Sequence, residues 1–190
     1  MDMQQKWDNH YRQQSCSYPE PALVLQQNRH LLPKQGHAVD IASGLGANAL
    51  LLAEHGLQTQ AWDISHEALN KLEQEAQRRQ LSVTVLQRDV SLQPPAENRF
   101  DVIVVSHFLD RQICPALASA LKPGGLIFYQ TYCRDKVDDS GPQNPDFLLT
   151  ENELLTLFAG LNLRVYREES LLGDRSQGWR NRAMLVAQKS

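Results

Sequence analysis

The chain lacks the features that announce several classes of protein. It has three cysteines in 190 residues, Cys16, Cys114 and Cys133. They are odd in number and far apart, so they form neither a disulfide framework nor a metal-ligand cluster. No metal is expected, and a reducing cytoplasm is the expected setting. No apolar run approaches the ~20 residues of a membrane span. The opening Met1-Asp2-Met3-Gln4-Gln5-Lys6 has no apolar stretch of the kind a secretory signal needs. Positive charge is not in excess either. The formal net charge is −3, so no overall basic field invites nucleic acid. Aromatic residues make up 7 % and form no stripe interleaved with basic side chains to stack RNA bases. No repeat or low-complexity tract occurs. The length suits one α/β domain over 1–190.

What the chain does have is concentrated between His37 and Asp63. Ala38-Val39-Asp40-Ile41-Ala42 reads as a short apolar strand, and Ser43-Gly44-Leu45-Gly46 as a turn that opens a helix from Ala47 to His55. A second strand, Gln58 to Trp62, ends at the acid Asp63. Glycines in such a turn let a ligand approach the backbone with no Cβ in the way. The helix start offers free N–H groups, and an acid closing the second strand can accept from a ribose diol. The pattern narrows the chemistry to nucleoside-bearing cofactors.

The remainder alternates helix and strand. Helices are expected over Gln4–Gln13, with Trp7 and Tyr11 at i, i+4 on one face, and over Ala22–Leu32, stopped by Pro33. Residues 1–35 thus read as a helical cap or lid and 36–190 as the core, with Ser17-Tyr18-Pro19-Glu20-Pro21 as a break. Ser65 is expected to cap a helix to Arg79. Ser82–Gln87 alternates as a strand, and Phe100–Ser106 is apolar enough to be a central parallel strand. A helix over Arg111–Leu121, the turn Lys122-Pro123-Gly124-Gly125 and a buried strand Leu126–Thr131 follow. After a polar loop, Thr150 and Glu153 make a capping box for a helix to Phe158. Two strands, Arg164–Glu168 and Arg182–Gln188, have no helix between them and should pair antiparallel. The expected fold is α/β: a single Rossmann-like domain with a seven-stranded, mostly parallel sheet, an antiparallel C-terminal strand and helices on both faces.

Gly44-x-Gly46-x-x-Ala49 also satisfies the dinucleotide pattern of an NAD-dependent oxidoreductase. Three features oppose that reading: Asp40 inside the first strand, Lys122-Pro123-Gly124-Gly125 before the fifth, and an antiparallel ending with no substrate domain. The set Asp40-x-x-x-Gly44-x-Gly46, Asp63-Ile64-Ser65, Asp89-Val90, Phe100-Asp101-Val102-Ile103 and Leu121-Lys122-Pro123-Gly124-Gly125 resembles the class I S-adenosylmethionine-dependent methyltransferases. Ala42 departs from the glycine the family often has there. Trp7-x-x-x-Tyr11 and Asp146-Phe147-Leu148-Leu149 before Glu153 make the chain similar to small bacterial methyltransferases of the tellurite-resistance (TehB-like) type.

The resemblance implies a cofactor, S-adenosylmethionine, with S-adenosylhomocysteine as product. It implies methyl transfer to a small molecule such as a soft chalcogen oxyanion or a thiol, by a monomer or homodimer without nucleic acid or membrane. A sensing protein without turnover and an RNA methyltransferase stay as alternatives. Asp63 would take the ribose hydroxyls and Asp40 the methionine ammonium, through water or backbone. Ala42, Gly44 and Gly46 would form the close-approach turn. Ile64 would pack on adenine, or be plain core; Asp89 and the Val90 N–H would meet the adenine edge. Trp7 and Tyr11 would close over the ligand, or simply pack together. Open α/β sheets bind ligands at the carboxyl ends of their strands, which brings Ser106 and His107, then Tyr132 and Arg134, to the acceptor. His107 is the acid/base candidate. Arg134, Arg180 and Arg182 could gather an anion. Cys133, with no activating neighbour but Arg134, is structural. No Asn-Pro-Pro-Tyr follows the fourth strand, which weighs against an amino-group methyltransferase acting on DNA bases or protein glutamine.

Overall fold

The computed structural model describes residues 2–14 and 18–190; Cys16 and Ser17 lie outside them. Seven strands form one sheet in the order β3-β2-β1-β4-β5-β7-β6. They are β1 His37–Ile41, β2 Gln58–Asp63, β3 Val83–Gln87, β4 Phe100–Ser106, β5 Leu121–Tyr132, β6 Asn162–Arg167 and β7 Arg182–Gln188. β1 to β5 are mutually parallel, and β7 runs antiparallel to both β5 and β6. The helices are α1 Met3–Gln13, α2 Leu23–Gln27, α3 Ala47–Glu54, α4 His66–Arg78, α5 Cys114–Ala120 and α6 Glu153–Leu157.

The central strands are apolar because both faces are covered. Val39, Ile41, Ile103, Val105, Ile127, Tyr129 and Leu185 point to one core. Ala38, Val102, Val104, Phe128, Met184 and Val186 point to the other, beneath α2 and α3 residues Val24, Leu25, Leu51 and Leu52. Each fully buried aliphatic of this kind contributes roughly 1.5–3 kcal/mol. The period-2 alternation then fixes register, since a one-residue slip would exchange the two cores.

Several boundaries differ from the sequence expectation, each for a local reason. The first strand stops at Ile41 because Ala42 adopts φ 52°. The helix expected over 22–32 is only α2, followed by a 3-10 turn at Arg29–Leu31. Asn28 breaks it by donating its side-chain amide to the Val24 carbonyl (2.9 Å). The helix after β4 begins as a 3-10 turn, Arg111–Ile113, and is α-helical only from Cys114. Lys122–Gly125 is not a separate turn but a bulge within β5: Phe100 pairs with Leu121 and Val102 with Leu126. The Thr150/Glu153 box is half formed. The Glu153 carboxylate accepts from the Thr150 N–H (2.7 Å), while the helix starts at Glu153, after Asn152 in the left-handed region.

Candidate functional site

The carboxyl ends of β1, β2 and β4 converge on the Ala42–Gly46 turn. Asp63 clasps that turn. One carboxylate oxygen accepts from the Gly44 N–H (2.7 Å) and the other from the Ser65 N–H (2.8 Å). Burial pushes Asp63 above its ordinary value, although these N–H donors oppose the shift. Two backbone donors leave a carboxylate with further lone pairs. Asp40 is fully buried. It accepts from the Ala49 N–H (3.2 Å) at the start of α3 and from the Asn48 amide (3.3 Å). Burial raises it to about 8. The turn itself is strained: Ala42 stands at φ 52° without being glycine, and Gly44 and Gly46 are at 53° and 73°. A Cβ on Gly46 would meet Leu72 Cδ atoms at 2.4 Å. Gly46 therefore serves helix packing, whereas a Cβ on Gly44 would meet the Tyr11 side chain, its hydroxyl at 2.6 Å and its Cζ at 3.3 Å. The Ser43 hydroxyl, between them, is buried with no partner among the described residues.

Above the turn lies α1. None of its residues is buried, so it is held by polar contacts. The Asp8 carboxylate accepts from the Ser65 hydroxyl (2.7 Å) and the Glu67 N–H (3.2 Å) at the start of α4. Arg12 pairs with Glu67 (2.7 Å), and Lys71 donates to the Tyr11 and Gln14 carbonyls. This brings the Tyr11 ring over Gly44, with Trp7 stacked on it (centroids 6.0 Å apart) and 37 % exposed. Desolvation of its hydroxyl against the turn, then the charges of Asp63 and Asp40, raises the half-buried Tyr11 phenol well above its ordinary value.

Sequence reasoning missed two buried amides. Asn48 takes the Ala22 N–H on its carbonyl oxygen (2.8 Å) and donates to Asp40 and to the Ser106 hydroxyl (3.0 Å). Gln130 takes the Val24 N–H on its carbonyl oxygen (3.0 Å) and sets its amide nitrogen 3.3 Å from His107 Nε2. Both fasten the chain entering α2 to the floor of the site. A sequence signal existed: a polar residue inside an apolar helix start, and another inside an apolar strand.

Next to this floor is a second cluster. His107, exposed and at φ 56°, leans on Tyr132 (5.3 Å between centroids). The Arg182 guanidinium lies 5.6 Å from the Tyr132 ring and 5.5 Å from Trp179. Its Nε is buried with no partner among the described residues. Desolvation by its neighbours, then the Arg182 charge, lowers His107 from its usual value.

The other predicted positions stand apart. Ile64 is half-buried and outside the apolar cores, while Val90 is packed into the main one. Asp89 caps its own turn through the Ser91 N–H (3.0 Å). Arg134 is exposed; its backbone N–H bonds the Leu149 carbonyl. Arg180 is not available for a substrate anion. Its donors hold the carbonyls of Glu169, Ser170, Asp174 and Gln177, stapling the β6–β7 loop. That loop walls a concavity of about 920 Å³ with Glu151, Glu168, Glu169 and Asp174 on its lining, which includes none of the turn residues. Cys133 is buried and pushed up to about 12 by that burial, in keeping with a structural thiol.

Residues 38–125 match the family described as a methyltransferase domain. Ribosomal RNA small subunit methyltransferase C of Alcanivorax borkumensis is 30 % identical over 118 residues, which cover 56 % of this chain and 36 % of that protein. The chain spans between about a third and a half of the length of the curated relatives it matches. Among solved structures, TehB from Haemophilus influenzae superposes with a TM-score of 0.72 at 21 % identity, covering 97 % of this chain and 67 % of that one. A SAM-dependent methyltransferase from Methanosarcina mazei superposes at 0.70 and 19 % identity, covering 90 % and 99 %. These likenesses are of fold.

Proposed function

We propose that this chain, whose residues 38–125 match a methyltransferase domain, is a class I S-adenosylmethionine-dependent methyltransferase that moves a methyl group from S-adenosylmethionine to a small acceptor with a soft anionic atom, a thiolate or a chalcogen oxyanion. The observation that carries the cofactor reading is the Asp63-clasped turn with its Ser43 hydroxyl, buried and without a partner among the described residues. A buried hydroxyl without a partner costs about 1–3 kcal/mol, and a polar ligand laid along Gly44 would relieve it. Asp63 would hold the ribose diol by charge-assisted bonds, the stronger class. Asp40 would face the ammonium end through water or backbone. Ile64, Asp89 and the Val90 N–H would border adenine. Ser106 would flank the reacting end, and Trp7 and Tyr11 would cover it, making the N-terminal segment the lid.

The bound cofactor supplies a methyl group already activated by its positive sulfur. The chain's own task is to align the acceptor and exclude water. Arg182, walled by two aromatic rings, is the cation that supports an anionic acceptor; Tyr132 and His107 border it, and the exposed Arg134 would add a second cation. Among the described residues no helix is long and apolar enough to cross a membrane. A second reading, RNA methylation, is favoured by the ribosomal RNA methyltransferase relative. The net charge of −3 opposes it.

Calorimetric titration with S-adenosylhomocysteine tests the cofactor: no binding at high protein concentration sinks the reading. Turnover is then assayed on thiols, selenite, tellurite and ribosomal RNA fragments. Arg182→Met should reduce kcat/KM for the anionic acceptors by ten- to a hundredfold. Transfer to RNA alone would replace the small-acceptor reading.

A further inference from the structure

Gln130 is 1 % exposed in the middle of the sheet, so each end of its amide must find a partner. One end is decided by chemistry. A backbone N–H can only donate, so the atom 3.0 Å from the Val24 nitrogen is the carbonyl oxygen. The other end, facing His107 Nε2 at 3.3 Å, is then the amide NH2, which can only donate. Nε2 must therefore carry a lone pair, and the ring's proton sits on Nδ1. The backbone reinforces this register. The His107 N–H donates to the Gln130 carbonyl at 2.9 Å, and Ser106 pairs with Gln130 across β4 and β5. His107 stands at a left-handed φ of 56°, an uncommon conformation for a non-glycine residue.

We infer that Gln130 is a positioning residue that locks His107 in its Nδ1–H tautomer, so that His107 offers the acceptor a hydrogen-bond donor and no free base. The inference about the acceptor rests on the methyl-transfer reading; the tautomer does not. Taking a proton at Nε2 would set one N–H against another across 3.3 Å. The charged and titratable neighbours act the same way. Arg182, on β7, opposes a second positive charge, and Tyr132, on β5, presents its ring. With His107 unable to collect a proton, the acceptor must arrive already ionised. Its lone pair forms the new bond to the methyl carbon while the carbon–sulfur bond breaks, the bonding pair staying on sulfur. No proton has to leave. Acceptors are then selected by their own acidity: thiols and oxyacids ionised near neutrality react, and alcohols or amines needing deprotonation do not.

The test begins with the wild-type chain. In a long-range proton–nitrogen spectrum of uniformly 15N-labelled protein, the His107 signals are identified by their loss in His107→Asn. The Nδ1–H pattern should dominate by on the order of tenfold, the weight of one hydrogen bond. The reverse tautomer, or the averaged pattern of a free imidazole, overturns the inference. In Gln130→Glu the carboxylate accepts instead of donating, and the Nε2–H form should take over where that variant folds. For the reaction, the pH dependence of kcat/KM is measured over thiols of graded acidity. Its midpoint should follow each thiol; a common enzymic midpoint for all of them refutes selection by ionisation. If S-adenosylhomocysteine fails to bind, the methyl-transfer reading falls, and the nitrogen spectrum still decides the tautomer.

Discussion

Asp40→Asn separates the buried carboxylate's charge from its shape. Asp40 is 0 % exposed, and burial lifts it from an ordinary 3.8 to about 8. The folded chain therefore holds this proton at pH values where the unfolded chain has released it. With more protons bound in the native state, stability falls as pH rises between those two values. Over the whole interval the shift amounts to about 6 kcal/mol, comparable to the entire stability of many domains. Asparagine does not titrate, so the variant escapes that loss. It introduces a different one. Its carbonyl can accept from the Ala49 N–H, but its NH2 then faces the Asn48 NH2, which cannot turn because Ala22 holds the Asn48 oxygen. Donor against donor costs about 1–3 kcal/mol. The variant should be the less stable chain at pH 4 and the more stable one above pH 8. Urea unfolding midpoints of both chains from pH 4 to 8.5, at unchanged slope, measure the difference. A gap that stays constant with pH refutes the buried-charge argument.

Asp63→Asn leaves one of the Gly44 and Ser65 N–H groups unpaired and should weaken S-adenosylhomocysteine binding by ten- to a hundredfold in calorimetry; unchanged affinity would remove Asp63 from the cofactor site. Gly46→Ala should cost about 2–4 kcal/mol in urea unfolding, because a left-handed φ is joined by a collision with Leu72. Gly173→Ala has a similar φ of 67° but nothing within 4 Å, so its cost should stay near the backbone share of about 1–2 kcal/mol. Asp8→Ala unlatches α1 from α4; proteolysis within residues 3–13 should accelerate severalfold while the urea midpoint of the chain barely moves, since no α1 residue is buried.

The sheet was legible because its information is local and repeated. β1, β4 and β5 carry apolar runs and β3 an alternation, and helix patterns or the Gln93-Pro94-Pro95 loop separate consecutive strands. Right-handed crossovers then leave few topologies. The antiparallel end was legible from the lack of helix-length sequence between β6 and β7. What the sequence hid was decided by side chains reaching back to the main chain. Asn28 competes for the Val24 carbonyl and ends α2 early, a rivalry typical of short amides in helices. Asn152, taking φ 59°, moves the start of α6 away from the capping pair. Neither event alters the hydrophobic pattern, so periodicity is silent about both.

The site divides along the same line. Asp40, Gly44, Gly46 and Asp63 could be nominated together because they lie on one strand–turn–helix–strand unit, where spacing in sequence is spacing in space. His107, just past the end of β4, and Gln130 and Arg182, in β5 and β7, come together through an adjacency that only the sheet order supplies. Even there, sequence could nominate the residues at strand ends but not what each had left to offer. Arg180 and Arg182 sit two positions apart with the same side chain. One gives its donors to the carbonyls of the β6–β7 loop. The other lies between Tyr132 and Trp179 with a buried Nε that has no partner among the described residues. An arginine already saturated with protein acceptors gains little from an added anion, whereas one desolvated and unpaired gains the full value of a charge-assisted bond. The distinction between a surface staple and an anion subsite is therefore set by hydrogen-bond partners, and these exist only once the chain has folded.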